Sequence, residues 1–70
     1  MTVEFLFLSA PAPTGLPATH DLAVLPQRGD LVTFVDGSRW AVSEIQTDVR
    51  ESSVAVIIHV GPYLEHRNAR

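Results

Sequence analysis

Histidine is the side chain best suited to metal ligation and to proton transfer near neutral pH, and this chain carries three, His20, His59 and His66. Their spacing matches neither an i, i+4 pair on one helix face nor a short zinc clip. Asp21 beside His20 and Glu65 beside His66 supply mixed ligands, but these would meet only through the fold. No resident metal and no other cofactor is expected. His59 interrupts the apolar run "VAVIIHV", where a lone histidine reads as a hydrogen-bonded or interfacial group. Nucleophilic catalysis would need a serine held by a base and an orienting acid. The serines at 9, 38, 43, 52 and 53 fall in turns or at strand edges, and no G-x-S-x-G elbow occurs. Glu44 and Asp48 are a carboxylate pair of the kind common on solvated strands. The four glycines, at 15, 29, 37 and 61, are too isolated to cradle a phosphate. No catalytic residue is assigned, and an enzyme is the minority reading.

The tripeptide Arg28-Gly29-Asp30 has the form of an adhesion motif, whose use needs an exposed loop tip on a secreted or virion-surface protein. A turn explains it better. Gly29 accommodates a positive φ angle, and Asp30 can accept hydrogen bonds from turn amides as a strand begins.

The elements around these residues read as all-β. Valine, isoleucine and aromatics cluster in short runs broken by Gly, Pro, Asp and Ser, and no window keeps a helical apolar stripe over three turns. Strands are expected at 2–9, 20–25, 30–36, 39–49 and 53–60. Residues 10–18 form a proline-rich covering loop, and the tail 61–70 opens at a strand-breaking proline and closes with a helical turn or frays. Asp36-Gly37 signals a hairpin with a type I′ turn, which places Trp40 and Val42 on one face of the return strand. Ile45 and Val49 have the opposite parity. A bulge near Ser43-Glu44 would return them to the inward face and bend the strand, as closure of a small barrel requires.

The pattern Gly29-Asp30-x-Val32 followed by Asp36-Gly37-x-x-Trp40-x-Val42-x-x-Ile45 resembles a hairpin that recurs in SH3-like small β-barrels and in small bacterial and phage-encoded proteins. That resemblance covers about a quarter of the chain and implies a docking, nucleic-acid-binding or assembly module, or occasionally an oligomeric enzyme. The expected architecture is a small, partly open, SH3-like barrel of five antiparallel strands forming one domain over residues 1–70. Its structural turns are Gly29, Asp30, Asp36 and Gly37, and its core is Phe5, Phe7, Phe34, Trp40, Val42, Ile45, Val56 and Ile58. The alternative for Trp40 is an exposed peptide-docking ring flanked by arginine.

Charge and length narrow the function. The net charge is −3, and the only basic residues besides histidine are arginines scattered among eight acids, so there is no patch to displace counterions from a nucleic acid. The run Phe5 to Leu8 is too short for a signal peptide and lacks a basic flank, and nothing reaches the roughly 20 apolar residues of a membrane span. A cytoplasmic protein without membrane contact is expected. A 70-residue chain without cysteine has a thin core and no disulfide, which favours self-association.

Two strands are apolar on both faces. With Val3, Phe5 and Phe7 inward, Leu6 and Leu8 turn outward; with Val54, Val56, Ile58 and Val60 inward, Ala55, Ile57 and His59 turn outward. If the two strands are neighbours, Leu6, Leu8, Ala55, Ile57 and His59 form a candidate interface, unless the proline-rich loop with Leu16 and the segment from Leu22 to Leu25 closes over it. The leading expectation is therefore a non-enzymatic, self-associating interaction or assembly module, with an unidentified protein partner as a further option. Behind it stand a nucleic-acid-associated accessory protein with an arginine-lined edge and an oligomeric enzyme with a site between subunits.

Overall fold

The computed structural model describes residues 1–63, which form one five-stranded sheet and no helix. The strands are β1 (Thr2–Phe7), β2 (His20–Asp21), β3 (Leu31–Thr33), β4 (Arg39–Val49) and β5 (Val54–Pro62), in the spatial order β2-β1-β5-β4-β3. The expected helical turn of the tail lies outside the described residues.

The sheet is mixed, which corrects the purely antiparallel barrel. β1 runs parallel to β5, in a register that pairs Val3 with Val56, Phe5 with Ile58 and Phe7 with Val60. A parallel neighbour requires a long crossover, and the whole of β2, β3 and β4 intervenes between these two strands. Both strands also lie in the sheet interior, with β1 between β2 and β5, and β5 between β1 and β4. Unbroken runs such as Phe5-Leu6-Phe7-Leu8 and Val56-Ile57-Ile58 suit strands in that position.

The sheet curls into a half-barrel around Val3, Phe34, Trp40, Val42, Ile58 and Val60, all buried. Phe5, Phe7, Ile45 and Val56 pack half-buried against them. Aromatic edges fill the centre, with Phe7 meeting Trp40 at 4.8 Å between centroids and Phe5 meeting Phe34 at 5.1 Å. Trp40 is thus a core anchor rather than an exposed docking ring. The sheet bends at β4, where the register against β5 slips between Val42 and Glu44. That bulge puts Ile45 opposite Ile58 on the concave side. Val49 does not reach the core. It pairs with Val54 where the β4–β5 hairpin overhangs β1, and both valines are exposed, Val54 in departure from its expected inward place.

The β3–β4 hairpin is not closed by a type I′ turn, which would need positive φ at both central residues. Only Gly37 has one, at +87°. The Gly37 amide donates to the Phe34 carbonyl (2.8 Å) and the Phe34 amide donates to the Ser38 carbonyl (3.0 Å). This is a three-residue loop with a type I turn and a glycine bulge.

Three strands are shorter than expected. β1 stops at Phe7, because Ser9 turns to φ 69°, although the Leu8 amide still donates to Val60 (2.8 Å). β2 keeps only His20 and Asp21; the Leu22 amide still donates to the Met1 carbonyl (2.7 Å), and the chain then turns so that Leu22 and Leu25 pack on the core. β3 ends at Thr33 because Phe34 enters the turn. β5 instead runs on through Pro62. The Tyr63 amide donates to Arg39 (3.1 Å), so the Pro62 nitrogen faces the side where β1 has already ended and no donor is missed.

The segment from Ala10 to Leu25 covers the concave face. Ala10, Leu16, Leu22 and Leu25 pack against the core cluster. This loop does not close over the outward face of β1 and β5, where it was the alternative to self-association. The concave side holds the larger aromatic surface, so burial there removes more apolar area from water.

Candidate interaction surfaces

Two surfaces are left by this arrangement, one on each side of the sheet. The convex surface is built on the parallel pair. Strand alternation sends Glu4 and Leu6 of β1 and Ala55, Ile57 and His59 of β5 to the outer face, with Glu4 opposite Ile57 and Leu6 opposite His59. β4 adds Glu44, Gln46 and Asp48, opposite His59, Ile57 and Ala55 respectively. Leu6 and Leu8 are exposed, at 44% and 37%, and Ala55, Ile57 and His59 are half-buried. All five expected interface residues lie on these two adjacent strands or, for Leu8, one residue beyond β1.

Polar groups border this apolar strip in a fixed order. The Gln46 side-chain amide donates to Asp48 Oδ1 at 2.7 Å, which turns its carbonyl oxygen to His59 Nε2, also at 2.7 Å. His59 Nε2 is therefore the donor to the Gln46 carbonyl oxygen. The Ser43 hydroxyl donates to the His59 carbonyl (3.3 Å), and Arg50 pairs with Glu4 (3.4 Å) at the other end. No nucleophile approaches the imidazole in these contacts. His59 behaves as a hydrogen-bonded sheet residue.

The second surface is a cleft of about 450 Å³ on the concave side, between the two edges of the curled sheet. Phe5, Val32 and Phe34 line it from the sheet, Gly15, Leu16 and Pro17 from the loop, and His20 from the short edge strand. The His20 ring stands edge-on to Phe5 at 5.1 Å, and its Nδ1 is enclosed without a hydrogen-bond partner. The sequence pattern did not indicate this cleft. It arises because β2 and β3 are distant in sequence and the sheet closes only partly.

The turn residues hold structure. Gly29 has φ +91°, and the Asp30 carboxylate accepts from the Gln27 amide at 2.9 Å. Arg28, Gly29 and Asp30 are exposed, with the Asp30 side chain folded back onto its own turn. At the next turn the Asp36 carboxylate accepts from the Ser38 hydroxyl (2.6 Å) and the Ser38 amide (2.9 Å). Those bonds favour the ionised form and hold Asp36 below the usual aspartate range, against a smaller opposing effect of burial. The Ser38 oxygen in turn accepts from the Trp40 indole N–H at 2.9 Å.

Among the described residues no three His, Asp or Glu side chains stand close enough together to hold a metal ion. His66 and Glu65 lie outside those residues. Also among the described residues, no helix is long and apolar enough to cross a membrane. Comparison with family models, curated proteins and solved structures finds no match to this chain.

Proposed function

We propose that this chain is a non-enzymatic interaction module that self-associates by laying its convex face against that of a second copy. The observation that carries this reading is the strip formed by Leu6, Leu8, Ala55 and Ile57, which the long loop leaves open because it folds over the opposite face. Exposed apolar patches on small soluble proteins mark interaction sites. A second copy suits the patch electrostatically. The outward row of β4 begins at Glu44, and its outward parity runs on to Arg50 just past the strand. A two-fold axis level with Thr47, midway between them, brings Arg50 of each copy, which pairs with Glu4 of its own chain, towards Glu44 of the other. The β3–β4 hairpin and the bulge that bends β4 support an SH3-like reading of the half-barrel, from which the parallel β1–β5 pair is a departure.

Light scattering coupled to size exclusion tests the proposal with the native chain, Ile57→Glu and Leu6→Ser. The native chain is expected to run as a dimer or larger and both variants as monomers. Leu6 is exposed enough for its replacement to leave the fold intact, so a folded, monomeric Leu6→Ser separates loss of interface from loss of fold. A native chain that stays monomeric at high micromolar concentration would overturn the reading.

A further inference from the structure

The edge of β3 carries a second site, independent of the convex face. We propose that it binds a single extended peptide segment of another protein, which pairs with β3 as an added strand and seats an apolar side chain in the cleft.

The backbone supplies the first part of the argument. The Phe34 amide donates to Ser38, the Asp30 carbonyl accepts from the Val42 amide at 2.9 Å, and Val32 pairs with Trp40 between them. Strand alternation therefore commits the Asp30 carbonyl, the Val32 groups and the Phe34 amide to the β4 side and turns the groups of Leu31 and Thr33 to the other side. There β3 is the end of the sheet. Edge strands are commonly protected by charge, proline or cover. The other edge, β2, is two residues long and carries Asp21, which is paired with the Met1 amino group at 3.0 Å. Among the described residues Leu31-Val32-Thr33, also a short strand, carries no charge, no proline and no covering segment.

The cleft supplies the second part. It is bounded by β3 on one side and by His20 and the Gly15-Leu16-Pro17 loop on the other, and its walls are almost wholly apolar. A folded partner offering its own edge strand would bring a neighbouring strand onto β2 and the loop. A free-standing segment brings none. In an antiparallel added strand the residue opposite Val32 points into the cleft beside Phe5 and Phe34, and its neighbours point to solvent. At the turn end, next to the exposed Val35, Asp36 presents a carboxylate. The recognised segment is thus alternately apolar, with a lysine or arginine at its N-terminal end.

The test is an NMR titration of the native chain, and of its Ile57→Glu variant, with the peptide acetyl-Lys-Thr-Val-Thr-Val-amide. The amides of Leu31 and Thr33 are expected to shift and to exchange more slowly on binding, in both proteins. Methylating the two threonine amides of the peptide, which would face β3, should weaken binding by about tenfold or more, and methylating the first valine amide by much less. Thr33→Pro, which removes only an outward N–H, should abolish binding and keep the β spectrum. Absence of shifts at millimolar peptide, equal losses from both methylations, or shifts centred on Leu6 and Ile57 would overturn the proposal. Protection of both amides in the free monomer would overturn it in favour of the chain's own residues 64–70.

Discussion

Ile57 and Ile58 are neighbours in β5 that face opposite sides of the sheet: Ile58 is sealed between Phe5 and Ile45, and Ile57 lies on the convex face between Glu4 and Gln46. Their truncations should therefore differ. Ile58→Ala leaves a cavity in a small core and is expected to cost about 2 to 5 kcal/mol. A domain of this size has about 5 to 10 kcal/mol at most, so the variant should lose a large share of its stability. Ile57→Ala should cost under about 1 kcal/mol in the monomer. Urea unfolding at low protein concentration measures both, and similar losses would mean that the convex face is buried.

The contrast was legible in the sequence because alternation alone assigns parity, and the runs around Phe5 and Ile58 have no polar face to confuse it. The bulge after Val42 was equally legible, since Trp40 and Ile45 share a face only if one residue is skipped. The parallel pairing was not, because parity says which way a side chain points and nothing about the direction of the neighbouring strand. The cleft was hidden for a related reason. His20 and Phe34 come together, at 6.1 Å between rings, only through the curl of the whole sheet. The overhanging Val49 and Val54 have core parity but lie beyond the end of the core, a length effect that periodicity does not carry.

The turn at Gly37 should disfavour a Cβ for reasons of backbone alone. An added Cβ meets nothing within 4 Å, but φ is +87°. Gly37→Ala is expected to cost about 1 kcal/mol or slightly more. Gly61→Ala, where the space is equally open and φ is not positive, should be neutral or stabilising by about 0.5 to 1 kcal/mol through a less flexible unfolded chain. Thermal melts of the two variants check the sign of each.

Nucleic-acid binding is expected to be absent. The net charge is −3, and among the described residues Arg28, Arg39 and Arg50 stand on three different segments, so no described face gathers enough positive charge to displace counterions. A gel-shift assay with a mixed-sequence duplex and a single strand at physiological salt should show no complex. Micromolar binding that weakens steeply with added salt would favour an accessory role on nucleic acid over the assembly reading.

The hydrogen-bond chain from the Trp40 indole through Ser38 to Asp36 links the core to the solvent and makes stability depend on pH. Ser38→Ala removes the acceptor of the indole N–H and should cost about 1 to 2 kcal/mol, because Trp40 is buried and the indole finds no other named partner. The Asp36 effect has a definite sign. Its carboxyl is held below the ordinary value of 3.8 in the folded chain by the Ser38 hydroxyl and amide, so the folded state favours the ionised form more than the unfolded state does. That contribution is fully present above the unfolded pKa and is lost as pH falls through the lowered folded one. Asp36→Asn should accordingly lower the midpoint of urea unfolding at pH 7 relative to the native chain, and the two midpoints should converge as pH is taken towards 2. In the Ser38→Ala background, where the hydroxyl bond is already gone, the same substitution should have a smaller effect at pH 7. An unchanged effect there would show that the Asp36 contribution comes from elsewhere than Ser38.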